Sequence, residues 1–472
     1  MWGVVNSNFS GSNGVLLNPS SIVTSKLYMD INLVTADIFV DNNYAYIHGE
    51  DYSLTKYLTK NPEWPKYGPD EMAFDHYTNK MPAKDAYINV FAKGPSFMLS
   101  RGRHAIALTT GVRYLTSVTD VPYHIANFGY YGLDYLDQHN VTYSNKNINT
   151  AVLAFGEIGL TYAYSFRKFD YQDWSAGLTI RRLFGVSGGY VFADEIDYMV
   201  INDSTIDVKN MTAELGYSIP LNYDNNDFPY GPWIKGGGWG FDLGVSYQQK
   251  LLSYQKRRIT KLCRQKYSDY IFKAGVSLLD IGFVKFTNNA SKYAYEDVSE
   301  YWMNVDTVTY TNMNNLMESL SDVFYDDPNA AHRGNEISVF LPAAVSLQFD
   351  YRVMKGWYAG AVFIHSIPMS KSMVYRPTQL MIAPRYESPL FEASLPVSLY
   401  EWRYPRVGLS FRYQFLTFGT DNLAWLLGVS DFTGLDFYFS IKVNFSKGHC
   451  GRGKALPCEN DEYGMYRKQS FK

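Results

Sequence analysis

Between Gly434 and Ser446 the chain alternates without a break. Leu435, Phe437, Phe439, Ile441, Val443 and Phe445 are apolar, and Asp436, Tyr438, Ser440, Lys442, Asn444 and Ser446 lie between them. A period of two is a β-strand that offers one face to each of two environments. The pattern recurs with Leu27, Met29, Ile31 and Leu33 against Tyr28, Asp30 and Asn32. It recurs again with Ile158, Leu160, Tyr162, Tyr164 and Phe166, and with Phe241, Leu243, Val245 and Tyr247. The longest case places Ile337, Val339, Leu341, Ala343, Val345, Leu347, Phe349 and Tyr351 on one face, with Ser338, Ser346, Gln348, Asp350 and Arg352 on the other. So many large apolar faces suit a transmembrane barrel, in which lipid takes the apolar face and the lumen the polar one. Arginine at Val345 is then expected to cost about 2–4 kcal/mol at mid-bilayer, and at Ser346 to be better tolerated.

The connections support the same architecture. Tight turns at Arg101-Gly102, 168–173 and Met354-Lys355-Gly356 alternate with long segments at 41–84, 117–149, 185–238 and 286–335. Outer-membrane barrels have short periplasmic turns and long outside loops. About fourteen antiparallel strands result, an even number with both ends inside. The strand-like piece 206–218 would break this parity if it crossed the membrane, so it is assigned to an outside hairpin, and 313–324 is predicted helical. Trp174 and Trp357 open strands directly after short turns, which predicts a periplasmic aromatic girdle. Gly236 to Gly240 precede the sixth strand, where glycines let the chain bend at a rim.

Composition narrows the class. Charged residues are 19% of the chain against about 25% in soluble proteins, and 41 tyrosines suit a membrane–water boundary. No run approaches the ~20 apolar residues of a membrane helix, so any crossing is by strands. A net charge of −3 without a basic face gives no reason to expect a nucleic-acid partner. No basic, then apolar, leader opens the sequence, so the numbering is read as that of an exported protein with its signal removed.

Three regions are expected: an N-terminal plug over 1–24, a barrel over 25–446 with long extracellular loops, and a short periplasmic tail over 447–472. In the first, Asn18 would cap a short helix that starts at Pro19 and Ser20. In the last, Cys450 and Cys458 would share an oxidising compartment compatible with a disulfide, with Cys263 as a competitor. No catalytic, cofactor or metal signature stands out. Histidines are scattered, and Glu296-Asp297 and Asp326-Asp327 lack the ligand spacing of a calcium loop. The candidate lumen residues Arg113, Arg181, Asp242, Asp350, Arg352, Arg412, Asp436 and Lys442 mix both signs. In a narrow barrel such charges favour a salt-bridged filling over an open conduction path.

Several stretches carry a family resemblance. Leu17-Asn18-Pro19-Ser20 resembles the Asn-Pro-Ala segment near the N-terminus of FadL/PorV-like outer-membrane barrels. Asp41-Asn42-Asn43-Tyr44, Gly94-Pro95-Ser96-Phe97, Gly240-Phe241-Asp242-Leu243-Gly244, Leu341-Pro342 with Asp350-Tyr351, and Pro384-Arg385-Tyr386-Glu387 are similar to an uncharacterised conserved family of such barrels. The resemblance implies a fourteen-stranded barrel with an N-terminal plug in the outer membrane of a Gram-negative bacterium. It implies one of two roles, neither enzymatic. PorV-like relatives serve as partner subunits of secretion and surface-assembly machines, and FadL-like relatives pass hydrophobic molecules through a lumen and a side opening. The charged lumen set and Ser20 in place of alanine favour the partner subunit, which would bind membrane lipid and, through its outside loops and tail, other outer-membrane or surface proteins. The alternative is a FadL-like channel for small hydrophobic or amphipathic molecules.

Overall fold

The alternating segments pair in chain order into one closed antiparallel sheet of fourteen strands. The computed structural model describes residues 1–49, 75–79, 83–169, 172–251, 269–307, 309–403 and 405–445, with the separate positions 53, 56, 59, 259–260 and 266–267. The first seven strands are β1 (Met29–Asn42), β2 (Lys84–Lys93 continued by Ser96–Arg101), β3 (His104–Val121), β4 (Thr142–Phe169), β5 (Gln172–Asn202), β6 (Gly236–Lys250) and β7 (Tyr270–Phe286). The second seven are β8 (Ile337–Phe340 continued by Ala344–Met354), β9 (Trp357–Ser366), β10 (Gln379–Glu387), β11 (Phe391–Ser394 continued by Val397–Tyr400), β12 (Arg406–Val407 continued by Leu409–Tyr413), β13 (Leu416–Thr420) and β14 (Asp436–Phe445). Pairing of Met29 with Phe445 through to Phe39 with Asp436 closes β1 on β14, so the barrel wall has no free edge.

Burial follows the alternation. On β14, Asp436, Tyr438, Ser440 and Lys442 are buried in the lumen, while Phe437 and Val443 are exposed on the lipid side. On one flank the wall continues outward beyond the barrel. There Thr205–Ser218 pairs with the upper half of β5 and with Ala290–Trp302. A helix at Met313–Tyr325 packs on this wall, with the Asn312 side chain accepting the Asn315 N–H at 2.7 Å as its N-terminal cap. The segment 206–218 is thus an outside hairpin strand, and the expected helix is present.

Four sequence expectations are corrected. Ile337, Val339, Leu341 and Ala343 face the lumen, not lipid, because β8 breaks at Pro342 and resumes one residue out of phase. Proline supplies no ladder N–H, and its neighbour β7 shifts phase at the same level through Asp280, whose φ is 55°. A similar shift separates Lys93 from Ser96 on β2 around Gly94-Pro95, opposite the β1 irregularity between Asn32 and Val34. Leu27, just before β1, is buried against the N-terminal segment. Residues 117–149 are not one loop, since β3 and β4 extend into them around a helix at Tyr123–Tyr131. Gly236 to Gly240 lie inside β6, and a Cβ on Gly238 would stand 1.9 Å from the Phe283 carbonyl oxygen.

The lipid-facing assignment yields the first expected result. Val345 pairs with Leu278, which pairs with Leu243, midway between Trp239 and Tyr247 on β6. Val345→Arg should lower unfolding stability by about 2–4 kcal/mol, as an arginine does at a bilayer midplane, in urea titrations of the liposome-inserted barrel. Ser346→Arg is now expected to fail too. Ser346 is fully buried and its Oγ accepts from Gln348 Nε2 at 2.6 Å, so no lumen space receives the longer side chain.

Candidate functional site

The lumen is filled from below by the N-terminal segment. It comprises a helix at Trp2–Val5, a 3-10 turn at Gly11–Leu16 and a helix at Ser21–Thr24. Its hydrogen bonds run to strands all round the ring. Ser7 Oγ donates to Glu392 of β11 (2.8 Å), Asn8 Nδ2 to the Tyr270 hydroxyl of β7 (2.6 Å), Asn13 Nδ2 to Thr35 of β1 (3.0 Å) and Asn18 Nδ2 to Gln348 of β8 (2.9 Å). A polar lumen wall is what makes this possible, because an enclosed backbone turn needs partners it cannot find in itself.

Asn18, Pro19 and Ser20 sit in a niche cut by three glycines on adjacent strands. A Cβ on Gly177 of β5 would stand 2.5 Å from Pro19 C, one on Gly244 of β6 would stand 2.1 Å from Asn18 Oδ1, and one on Gly275 of β7 would stand 3.0 Å from Asn18 Nδ2. Asn18 is not the helix cap. Its Oδ1 accepts the Ser20 N–H at 2.9 Å in a turn that precedes the helix, which starts at Ser21 with Ser20 in the cap position. Ser20 Oγ reaches Ser246 of β6 at 2.9 Å.

The eight lumen candidates fall into separate groups. Arg412 pairs with Glu392 (3.0 Å) and lies 4.5 Å from the Phe9 ring centre, and Lys442 donates to the Phe9 and Ser10 carbonyls, so both hold the N-terminal segment. Asp436 accepts the Asp421 N–H at 2.9 Å. Asp350 is bonded by Arg385 and by the Tyr270 hydroxyl, while Arg352 pairs with Asp269 at 2.8 Å. Arg113, Arg181 and Asp242 do come together, with Glu157, Asp280 and Arg376 added. Arg181 reaches Asp242 at 2.6 Å, Asp280 at 2.8 Å and Glu157 at 3.1 Å, Arg113 reaches Glu157 and Asp280 at 3.0 Å each, and Arg376 pairs with Asp280. Three guanidiniums thus face three carboxylates.

The added residues differ in how visible they were. Glu157 lies on the same face of β4 as Gly159 and Thr161, so parity alone could have found it. Asp280 enters the lumen only because β7 bulges there, and its N–H donates to Asp242 Oδ1 at 2.7 Å. Arg376 comes from a loop. Glu387, which the family resemblance touches, proves central at the end where the turns are short. It is buried, and its oxygens take Lys26 Nζ at 3.0 Å, Arg385 Nε at 2.7 Å and the Asn8 amide group at 3.0 Å.

Above the ion cluster the lumen turns apolar. Leu115, Leu153, Phe155, Leu183, Phe286 and Leu341 are among the buried residues of one layer, and Phe39, Tyr87 and Tyr400 form a second patch across the mouth. Residues 367–378, the link from β9 to β10, run between them as a strap. Val374 joins the first patch and Tyr375 the second. The strap is fixed at several points: the Val374 N–H donates to the Phe340 carbonyl (3.1 Å), the Tyr375 N–H to Ser117 Oγ (2.8 Å), and Lys371 Nζ to Asp194 (2.6 Å). Between strap and N-terminal segment lies a cavity of 190 Å³. Trp2, Leu17, Phe39, Phe91, Leu115 and Tyr400 give it apolar walls, and the Arg113–Arg181–Arg376 cluster gives it a polar one. Its charged side chains balance, with Lys93, Arg113, Arg181 and Arg376 against Asp37, Glu157, Asp242 and Asp280, and the Met1 ammonium in its lining is paired with Asp421 at 2.8 Å. Arg181 Nε is buried and makes no hydrogen bond.

The remaining candidates lie outside the lumen. Trp174 and Trp357 are exposed on the lipid side, beside Tyr247 at 5.0 Å and Tyr386 at 5.3 Å, at the end where the turns are short. Cys450, Cys458, Cys263 and the 447–472 tail fall outside the described residues.

Solved structures similar to this chain include several barrels. A deletion mutant of the TodX monoaromatic hydrocarbon channel is 10% identical, with 93% of this chain and 95% of that one covered at a TM-score of 0.42. A Pseudomonas aeruginosa FadL homologue is 12% identical, with 94% and 96% covered at 0.42. The Pseudomonas putida toluene transporter TodX is 10% identical, with 94% and 96% covered at 0.32. No curated protein matches the chain. A family model matches residues 19–421, and with this span the chain belongs to the family of unknown function DUF5723.

Proposed function

We propose that this outer-membrane barrel is a passage for small, uncharged amphipathic or apolar molecules, with the cavity above the N-terminal segment as its binding compartment. The supporting observation is the cavity's two-sided lining beneath the 367–378 strap. Its volume of 190 Å³ exceeds the roughly 150 Å³ that accommodates benzene in an apolar protein cavity. The balanced charges offer no net attraction to an ion, while the aromatic and leucine walls favour an apolar body. A polar group on the ligand would meet the ion cluster on the Arg113–Arg181–Arg376 wall. Of the charged lumen residues, which weigh against an apolar conduit, Arg113, Arg181, Arg376, Glu157, Asp242 and Asp280 are paired with one another in a single cluster on the compartment's wall.

Equilibrium dialysis of the detergent-solubilised protein against labelled phenol tests this reading. Saturable binding is expected for the native chain and its loss for Leu115→Trp, which fills the compartment. Benzoate should bind at least several-fold more weakly than phenol, because its charge would enter a balanced site without a counterion. Absence of saturable binding by the folded native barrel would exclude the proposal.

A second reading, partner subunit of an outer-membrane assembly, draws on the outward wall of 205–218, 290–302 and the 313–325 helix, which exceeds what a barrel needs to close. It expects a defined protein to co-purify from native membranes and to be lost on deletion of residues 447–472.

A further inference from the structure

One row of side chains crosses the lipid-facing surface at a single level. The register sets Arg182 of β5 opposite Trp239 of β6, Trp239 opposite Phe283 of β7, and Phe283 opposite Phe340 of β8. Along β6 the exposed residues Phe241, Leu243 and Val245 run down from Trp239 to Tyr247, which meets Trp174 in the girdle at the short-turn end. Eight residues separate Trp239 from Tyr247. At about 3.4 Å each they span about 27 Å of strand, and a tilt of about 40° leaves about 20 Å across the membrane, close to the roughly 25 Å apolar band of such barrels. The Arg182 row therefore stands at the opposite, outer interface.

Arg182 is unusual within that row. It is exposed on the lipid-facing side, lies 5.2 Å from the Trp239 ring centre and 5.9 Å from that of Phe184, and donates from Nη1 to the Gly238 carbonyl at 3.1 Å. Among the described residues it forms no ion pair, whereas nearby Lys285 is committed to Glu336 at 2.6 Å. A guanidinium stacked on aromatic faces keeps its remaining N–H groups aligned and available, and their fork matches a phosphate. Just above it the rim segment that leads into β6, tied to β5 where the Lys235 N–H donates to the Gly185 carbonyl, exposes Phe228 (64%) and Trp233 (59%), whose rings lie 6.1 Å apart.

We propose that Arg182, with Trp239, Phe283 and the 228–234 rim segment, forms a binding site for the headgroup of an anionic, phosphate-bearing lipid of the outer leaflet. The arginine takes the phosphate, and the aromatic row takes the upper acyl chains. The site is independent of what passes through the lumen.

Native mass spectrometry of the full chain, released from micelles that contain equal phosphatidylglycerol and phosphatidylcholine, is the test. A basic residue near a membrane surface contributes enough to expect about five-fold preferential retention of the anionic lipid. Arg182→Gln and Trp239→Leu should each bring the ratio towards one, whereas Arg101→Gln, at the short-turn rim, should leave it unchanged. Heat-modifiable electrophoretic mobility verifies that each variant is folded. Should Arg182→Gln not fold, Arg182→Lys serves in its place and should lower the ratio, because an ammonium cannot form the fork. A native ratio of one, or a ratio that persists in the folded Arg182 and Trp239 variants, would overturn the proposal.

Discussion

Planar bilayers holding a barrel that lacks both residues 2–24 and residues 370–376 should carry steady ohmic current, whereas either deletion alone should leave conductance near the native level. An N-terminal plug over 1–24 predicts a single barrier. The molecule instead carries two barriers in series. The lower is the N-terminal segment, bonded to β1, β6, β7, β8 and β11. The upper is the apolar layer with its strap, where Val374 and Tyr375 bridge two patches across the mouth. Ion flow through barriers in series is limited by whichever one remains, and an apolar constriction excludes ions by dewetting. Steady channels from the 2–24 deletion alone would mean that the strap does not close the mouth. Steady channels from the 370–376 deletion alone would mean the same of the N-terminal segment.

Replacing Glu387 with Ala should cost about 3–5 kcal/mol, the usual loss when one partner of a buried ion pair is removed. The carboxylate is buried and answers two cations, Lys26 at 3.0 Å and Arg385 at 2.7 Å, as well as the Asn8 side chain. Lys26 keeps the Tyr358 hydroxyl at 2.7 Å and Arg385 keeps Asp350, but the negative charge that faced both cations is gone. The loss should appear as a lower urea midpoint for the transition of heat-modifiable mobility. Adding Lys26→Met to Glu387→Ala should recover a large part of it, because the surplus charge leaves with the lysine. A double variant as unstable as the single one would assign the effect to packing at Asn8, not to charge.

Much of this architecture was legible before any coordinates. The period-two alternation on β4, β6 and β14, together with short turns that alternate with long loops, is a local property of backbone and solvent, so it places strands and their lipid faces directly. The outside assignment of 206–218 follows from parity, and a helix is expected over 313–324 within the longest outside loop. The Asn18-Pro19-Ser20 stretch could be picked out in the sequence, but its niche could not. Gly177, Gly244 and Gly275 are scattered over nearly a hundred positions, and only strand pairing makes them neighbours.

What the tertiary structure decided is the inside of the barrel. Alternation tells which residues point inward, but not which inward residues meet. Arg113, Arg181 and Asp242 converge because β3, β5 and β6 curve round one compartment, and Asp280 joins them through a bulge that no periodic pattern announces. The same irregularity, matched by Pro342 on β8, turns Ile337, Val339 and Leu341 from lipid to lumen and so creates the apolar roof. A single residue of phase exchanges the two faces of a strand. Sequence periodicity therefore determined the wall of this protein, while the positions where that periodicity breaks, fixed only by contacts between strands distant in the chain, determined the lumen.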